Sequence, residues 1–212
     1  MHEPMARPSY WDEYYRHRTV PVVPSQFAVF VHGELTEGSS IIDIGCGSGR
    51  DSIFFAQCGL DVLGIDQSPI AIDTCNRRAS ELGIRAARFV AAPISNTKQI
   101  ALEAQRMQGP RCVYARFFLH AIDDEAEQDF ISVATQIVAK TPHSIVAVEF
   151  RTERDRNQQK VTPEHYRRFV NPMTFATKCI NAGMSLDYFV EGFGFAKHHS
   201  DDAHVARYIF RS

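Results

Sequence analysis

The chain has 212 residues, of which 44% are hydrophobic and 23% are charged, so it can bury one substantial core and a single domain is expected. A formal net charge of −2 predicts no general attraction to nucleic acid or to an anionic membrane, and no apolar run approaches the roughly 18 residues of a membrane span. Five cysteines without C-x-x-C spacing predict neither a metal site nor disulfide bonds, so we expect a reduced, cytoplasmic protein.

The predicted elements alternate between apolar runs and segments of helical period. We expect strands at 41–44, 60–66, 84–92, 111–119 and 144–150, and helices at 51–57, 68–82, 95–108 and 123–140. Ser68 followed by Pro69 is typical of a helix start, because serine caps the first turn and proline fits its first position. The repeated alternation predicts a parallel sheet with helices on both faces.

The alternation stops after position 150. Residues 151–171 are polar and rich in arginine, and we interpret them as an insertion. A helix at 172–182 follows, and then two strands at 186–191 and 204–210 with no helix between them, which predicts antiparallel pairing. The expected fold is therefore of the α/β class, with seven strands in a mostly parallel sheet and an antiparallel last strand.

Three glycines follow the first predicted strand directly and lead into a helix. Glycine at positions 45, 47 and 49 permits positive φ and a close approach to the backbone, and the helix start offers unpaired N–H groups. Asp66 ends the second strand, where a carboxylate can accept hydrogen bonds from ribose hydroxyls. This combination predicts a nucleotide site. A dinucleotide-binding dehydrogenase is disfavoured, because G-x-G-x-x-G requires a later glycine where the chain has none before Gly59.

The run D-I-G-C-G-S-G, from Asp43 to Gly49, resembles the first motif of the class I, Rossmann-like methyltransferases that use S-adenosylmethionine. The resemblance covers roughly 38–150 by motif order and implies that 38–212 is a methyltransferase domain. It also implies that Asp66 binds the ribose, that Gln67 lies beside the adenine, and that Asp43 holds the glycine loop and the methionine amino group. The loop residues implied to lie under the cofactor are Gly45, Cys46, Gly47 and Gly49.

The end of the third strand departs from this family. Members of the family often place an acid there for the adenine amino group, but this chain has Ala92 and Pro93. We therefore expect apolar packing and backbone groups to hold the adenine, with Ala92 and Ile94 as contacts.

The fourth strand ends in an aromatic stretch that reaches His120. In the family this region lines the methyl-transfer site, so Arg116 and His120 are predicted to be catalytic, and Arg116 is also a candidate cofactor contact. A buried arginine needs an anionic partner, which can be Glu149 or the substrate, and we favour the substrate. The alternative for His120 is a structural histidine that hydrogen-bonds a loop.

The insertion carries a local excess of positive charge. Residues 151–168 contain six Arg or Lys residues against three acids. Arginine can bind a phosphate or a carboxylate through two parallel hydrogen bonds, whereas charge runs of this kind are more often solvated helix faces. We expect the insertion to cover the acceptor. Its predicted substrate-binding residues are Arg151, Tyr166, Arg167 and Arg168, and His165 is a candidate base.

The polar N-terminal segment, 1–37, contains four aromatic residues between positions 10 and 15 and shows no secretory signal. We predict that it forms a lid over the cofactor, with Tyr10, Trp11, Tyr14 and Arg18 as lid residues. Tyr14 is expected near the substrate and Arg18 near the methionine carboxylate. The alternative is an aromatic cluster that packs a helix onto the sheet. The pattern Y-W-x-x-x-Y is similar to one in thiopurine and tellurite methyltransferases.

The predicted function is O-methylation of a small anionic acceptor, phosphorylated or carboxylated and plausibly linked to a saccharide. Such an acceptor needs no general base, and no convincing base stands out in the sequence. One alternative is a soft-nucleophile methyltransferase, which predicts an apolar pocket poor in arginine. The other is a non-catalytic nucleotide-binding module with the same fold. Nothing in the sequence predicts the oligomeric state.

Overall fold

The computed structural model describes residues 8–16, 23–156, 168–197 and 201–212. The predicted site residues Arg18, His165, Tyr166 and Arg167 lie outside these ranges. Within the ranges, no helix is long and apolar enough to cross a membrane, and no group of three or more His, Cys, Asp or Glu side chains is arranged to hold a metal ion.

A seven-stranded sheet lies at the centre of the described structure. Its strands are β1 (Ser40–Ile44), β2 (Asp61–Asp66), β3 (Ala87–Ala91), β4 (Arg111–Arg116), β5 (Ile145–Arg151), β6 (Ser185–Gly192) and β7 (Val205–Arg211). The order across the sheet is β3-β2-β1-β4-β5-β7-β6. Strands β1 to β5 pair in parallel, and β7 runs antiparallel to both of its neighbours. The predicted sheet with its antiparallel last strand is therefore confirmed.

Helices pack on both faces of the sheet, as predicted. They are α1 (Pro8–Arg16), α2 (Gln26–Glu34), α3 (Arg50–Gln57), α4 (Pro69–Glu81), α5 (Thr97–Gln105), α6 (Asp124–Val138) and α7 (Pro172–Asn181). Helices α5, α6 and α7 pack on one face around Phe130 and Phe175. Helices α2, α3 and α4 pack on the other face, where Phe27 and Phe55 are fully buried.

The starts of α4 and α6 follow from local sequence signals. The Ser68 hydroxyl accepts a hydrogen bond from the Ala71 N–H, and Pro69 is the first helical residue. The Asp123 carboxylate accepts from the Ala126 N–H in the same way, at 2.9 Å. Each cap satisfies an N–H group that has no partner within the helix, so both helices begin where the sequence predicts.

Strand β4 ends earlier than predicted. Arg116 is its last residue, Phe117 has a left-handed φ of 57°, and a 3₁₀ helix from Leu119 to Ala121 follows. The Phe117 N–H still donates to the Glu149 carbonyl oxygen of β5, at 2.8 Å, but the chain then turns away. The predicted strand at 111–119 is therefore wrong beyond Arg116. A left-handed φ is strained for a bulky residue, and such strain is most often found at functional sites.

The sheet has a point where the strand order reverses. The chain leaves β1 towards β2 and β3, and later returns to the other side of β1 as β4. Ligands of open α/β sheets bind beyond the carboxyl ends of the strands at such a point. The glycine turn after β1 and Phe117 after β4 both lie there.

Candidate active site

The glycine turn after β1 crosses the end of β2. Gly45, Gly47 and Gly49 have φ angles of 74°, 53° and 77°, which other residues rarely adopt. The N–H groups of Gly45 and Cys46 both donate to the Ile65 carbonyl oxygen, at 2.8 and 3.0 Å. The turn is therefore held against the strand that ends in Asp66.

Side chains from three other parts of the chain lie against these glycines. A Cβ atom on Gly45 would lie 2.5 Å from the Phe118 ring, and one on Gly47 would lie 2.7 Å from the Tyr15 hydroxyl. One on Gly49 would lie 2.9 Å from the Cys75 sulfur. The turn thus needs glycine for close packing as well as for its backbone conformation. Side chains of the chain itself lie close to the backbone of the turn.

Asp66 is buried at the end of β2 and is held by backbone donors. Its carboxylate accepts hydrogen bonds from the N–H groups of Gly47 and Ser68, each at 2.9 Å. Burial raises the pKa of Asp66, and these hydrogen bonds oppose the rise. The Ser68 hydroxyl donates to Asp12 of α1, so the N-terminal helix is bonded to the residue that anchors Asp66.

A cavity of about 270 Å³ opens beside Asp66, at the carboxyl ends of β1 to β4. Five predicted cofactor residues line it, namely Gly45, Asp66, Gln67, Ala92 and Ile94. Concave sites that combine apolar walls with a few polar groups are typical ligand pockets.

The other predicted cofactor residues do not line the cavity. Asp43 is buried in β1, where it accepts a hydrogen bond from the Ser52 hydroxyl at 2.5 Å. Burial raises the pKa of Asp43 to about 8. The Cys46 sulfur is directed towards β2, since a Cβ on Gly64 would lie 3.1 Å from it. Gly47 and Gly49 shape the turn, and Arg116 is considered below.

Comparison with known proteins identifies the fold. Residues 35–124, which run from the end of α2 to the start of α6, match a family model described as a methyltransferase domain. No curated protein matches the chain. A methyltransferase from Anabaena variabilis that depends on S-adenosylmethionine has a similar structure, with a TM-score of 0.70 and 16% identity over 96% of this chain and 94% of its own.

Two further solved structures share this architecture. A TehB-like methyltransferase from Corynebacterium glutamicum has a TM-score of 0.66 and 15% identity, over 97% of this chain and all of its own. Magnesium protoporphyrin IX methyltransferase from Synechocystis, solved with bound S-adenosylmethionine, has a TM-score of 0.57 and 16% identity, over 97% of this chain and 79% of its own. Residues 35–124 thus match a methyltransferase domain, and the chain as a whole shares the fold of methyltransferases that depend on S-adenosylmethionine.

The residues around the cavity fit the nucleoside half of S-adenosylmethionine, which is bound in the Synechocystis methyltransferase structure. Asp66 lines the cavity with a fixed carboxylate, and its binding of ribose hydroxyls stays a prediction. Ala92, Ile94 and Phe118 supply apolar surface for a flat base. Gly45 and Gly47 keep the turn free of side chains of their own.

The cavity has aromatic residues in its wall, of which the sequence analysis predicts Trp11 as a lid residue but does not name Tyr15, Phe117 or Phe118. Trp11 and Tyr15 of α1 line it, and so do Phe117 and Phe118 after β4. The predicted residue Tyr14 lies on the same helix but is not part of the lining. Trp11 and Tyr15 are four positions apart and share one helix face, with ring centroids separated by 6.1 Å. Helical spacing therefore places Tyr15 on the same face as the predicted lid residue Trp11, although spacing alone does not show that this face meets the cavity.

Arg116 has an anionic partner within the chain. Its Nε donates to Glu149 Oε1 at 2.8 Å, and Arg207 Nε donates to the other carboxylate oxygen at 2.7 Å. The Arg116 guanidinium also stacks over the Phe117 ring, 4.2 Å from its centroid. The chain itself thus supplies the anionic partner for which the sequence interpretation favoured the substrate.

Arg151 forms ion pairs within the chain. It is buried, with Nη1 2.8 Å from Asp155 Oδ2 and Nη2 2.5 Å from Asp201 Oδ2. Neither Arg151 nor its partners line the cavity beside Asp66. The predicted role of Arg151 as an acceptor clamp is therefore corrected, because two carboxylates of the chain already compensate its charge.

Arg168 is likewise paired with carboxylates of the chain. It contacts Asp124 and Glu127 of α6 and donates to the Leu119 carbonyl oxygen at 3.3 Å. Its contacts join the end of the insertion to the first turns of α6. The predicted binding of the acceptor by Arg168 is corrected for the same reason.

His120 forms hydrogen bonds with residues at the ends of two segments. Its Nδ1 accepts a hydrogen bond from the Arg151 N–H at 3.3 Å, and its carbonyl oxygen accepts from the Arg168 N–H at 2.8 Å. The ring meets Phe117 edge-on, with centroids 5.3 Å apart. These contacts correspond to the structural alternative for His120, and a contact with the acceptor stays a prediction.

Proposed function

We propose that this domain transfers the methyl group of S-adenosylmethionine to a small acceptor molecule. The observation that carries the proposal is a cavity lined both by the anchored carboxylate of Asp66 and by the apolar surface of Ala92, Ile94 and Phe118. When bound, the cofactor supplies a methyl group on a positively charged sulfur, so the protein has mainly to align and desolvate the reactants.

The residues of the chain divide this work. Asp66 accepts hydrogen bonds from the ribose hydroxyls and so sets the position of the nucleoside. Trp11 and Tyr15 line the cavity from α1, where they cover the bound nucleoside and keep water out. The backbone turn of Phe117 places its ring at the cavity wall, next to the end of β4.

Replacing Asp66 by alanine tests the proposed cofactor site. The variant should bind S-adenosylhomocysteine, the demethylated product, on the order of 10- to 100-fold more weakly, because hydrogen bonds to a charged group are lost. Isothermal titration calorimetry measures this change. Asp61→Ala is the matched control, since it removes an exposed carboxylate from the first residue of the same strand. Equal affinity of the two variants would reject Asp66 as the ribose ligand.

The proposed acceptor is a small anionic molecule that is methylated on oxygen. Support comes from the group formed by Arg116, Glu149 and Arg207, in which two guanidinium groups share one carboxylate and leave a net positive charge. Arg116 stacks on Phe117, which lines the cavity, so this charge lies next to the proposed site of methyl transfer. An anionic oxygen is a nucleophile without a general base.

Replacing Arg116 by methionine tests this proposal. We expect the KM for the acceptor to rise at least about 10-fold while the affinity for S-adenosylhomocysteine stays within about 2-fold, since a charge-assisted contact with the acceptor is lost. Steady-state kinetics and calorimetry measure the two quantities. Arg207→Met is the control, because it also removes one partner of Glu149 but lies over Phe27 and Phe30. An equal rise of KM in both variants would contradict a specific contact with Arg116.

A second candidate is methyl transfer to a soft nucleophile, on sulfur, selenium or tellurium. It is favoured by the cavity lining, which among the described residues contains four aromatic side chains and no arginine or lysine. The structural similarity to a TehB-like methyltransferase is in keeping with this candidate. A panel of acceptors with carboxylate, phosphate, thiol and tellurite groups separates the two candidates through consumption of the methyl donor.

A further inference from the structure

The cavity continues beyond Asp66 into a slot between α5 and α6. Its walls are apolar and include Ile94, Ile100, Phe118 and Ile122. Asp66, Gly45 of the glycine turn and Tyr15 line the same cavity as the residues of this slot. The slot is therefore the end of the cavity that receives the base, an inference that rests on the function proposed above.

A purine in this slot presents polar atoms that need partners. The exocyclic amino group of adenine is a donor, and a buried donor without an acceptor is strongly unfavourable. The end of β3 offers no side-chain acceptor, because Ala92 and Pro93 are found there. Ser95, three residues after Ala92, lines the cavity with an uncharged hydroxyl that can accept. A charged acceptor for the amino group must come from another wall of the slot.

Helix α6 supplies carboxylates to this wall, and they differ in availability. Asp123 caps the helix by accepting from the Ala126 N–H, and Glu125 is exposed. Asp129 lies one turn further along, is half-buried, and lines the cavity. Within the part of the chain that the structure describes, its carboxylate has no hydrogen bond or ion pair.

We infer that Asp129 accepts a hydrogen bond from the amino group of adenine and makes the cavity selective for a 6-aminopurine. The carboxylate can only accept, so it pairs with an amino group and repels the oxygen that replaces this group in hypoxanthine. Asp129 is thus a specificity-determining residue on α6, and it supplies the acceptor that the end of β3 does not offer.

Two ligands that differ only in the base test the inference. Calorimetry compares S-adenosylhomocysteine with S-inosylhomocysteine, in which an oxo group replaces the amino group. The unmodified protein should bind the adenosyl ligand at least about 10-fold more tightly. In Asp129→Asn this ratio should fall to about 1, because the side-chain amide can also donate to the oxo group. Asp61→Asn makes the same charge change at an exposed residue that does not line the cavity, and it should leave the ratio unaltered.

The outcomes separate this inference from the proposed function. If the adenosyl ligand binds but Asp129→Asn keeps the full preference, the role of Asp129 is overturned and the cofactor site stands. The same conclusion follows if the unmodified protein binds both ligands equally. If the unmodified protein binds neither ligand, both the proposed function and this inference are rejected. Circular dichroism of each variant establishes that a change in the ratio is not a loss of fold.

Discussion

Replacing Glu149 by glutamine is expected to lower the free energy of unfolding by about 3 kcal/mol or more, since removing one partner of a buried ion pair leaves an uncompensated charge. The Glu149 carboxylate is fully buried, and each of its oxygens accepts from a different arginine. Glutamine keeps the shape, but its amide oxygen can serve only one guanidinium group, and its NH₂ group then faces the other. Urea denaturation followed by circular dichroism measures the change.

Asp187→Asn provides the control for an exposed ion pair. Asp187 and Arg211 are 2.6 Å apart, with side chains 42% and 39% exposed, so breaking this pair should change the free energy of unfolding by no more than about 1 kcal/mol. A loss below about 1 kcal/mol in Glu149→Gln would mean that the two arginines do not depend on this carboxylate. In that case the anionic partner of Arg116 would again have to be sought in the substrate.

The fold could be predicted because most of its signals are local. Ser68 and Pro69 start α4 through contacts within one helical turn, and the run of Ile41 to Ile44 is buried because helices cover both faces of the sheet at β1. The end of β4 could not be predicted in this way. The residues after Arg116 are as apolar as a strand, but Phe117 and Phe118 are apolar because they line a cavity. A hydrophobic pattern indicates that residues are buried, but it does not distinguish a strand of a sheet from the wall of a cavity.

The cofactor residues at the strand ends could be predicted from the sequence for a related reason. Asp66 and Ala92 lie at the ends of successive parallel strands, so their order along the chain places them on one edge of the sheet. Trp11, Tyr15 and Asp129 lie on helices, where the face that meets the cavity depends on how the helix packs. The hydrophobic periodicity of a single helix does not show which of its faces meets the cavity.

The arginines show why counting charges along the sequence does not identify an anion-binding site. The insertion has an excess of positive charge in sequence, but Arg151 pairs with Asp201, and Arg168 pairs with Glu127 of α6. Both carboxylates lie outside the insertion. Local charge balance therefore says little about free charge once distant segments come together, and an anion-binding site must be argued from the pairs that form in three dimensions.

The stability of the protein should depend on pH through Asp43. Burial raises the pKa of Asp43 from 3.8 to about 8, and the neighbouring carboxylates of Asp51 and Asp66 add to the rise, while the hydrogen bond from Ser52 and the charge of Arg116 oppose it. Between about pH 4 and pH 8 the folded protein then holds a proton that the unfolded chain releases. The free energy of unfolding therefore falls as the pH rises through this window, and Asp43 adds no further slope above it.

Asp43→Asn should remove this contribution, because the amide does not titrate and still accepts a hydrogen bond from Ser52. Between pH 5 and pH 8 the variant should gain about 2 to 4 kcal/mol relative to the unmodified protein, which urea denaturation at several pH values measures. Asp61→Asn, an exposed carboxylate, controls for the change in net charge. Parallel pH profiles for Asp43→Asn and the unmodified protein would contradict the prediction. Asp43 would then be ionised throughout, and the Arg116 guanidinium would have to compensate both Asp43 and Glu149.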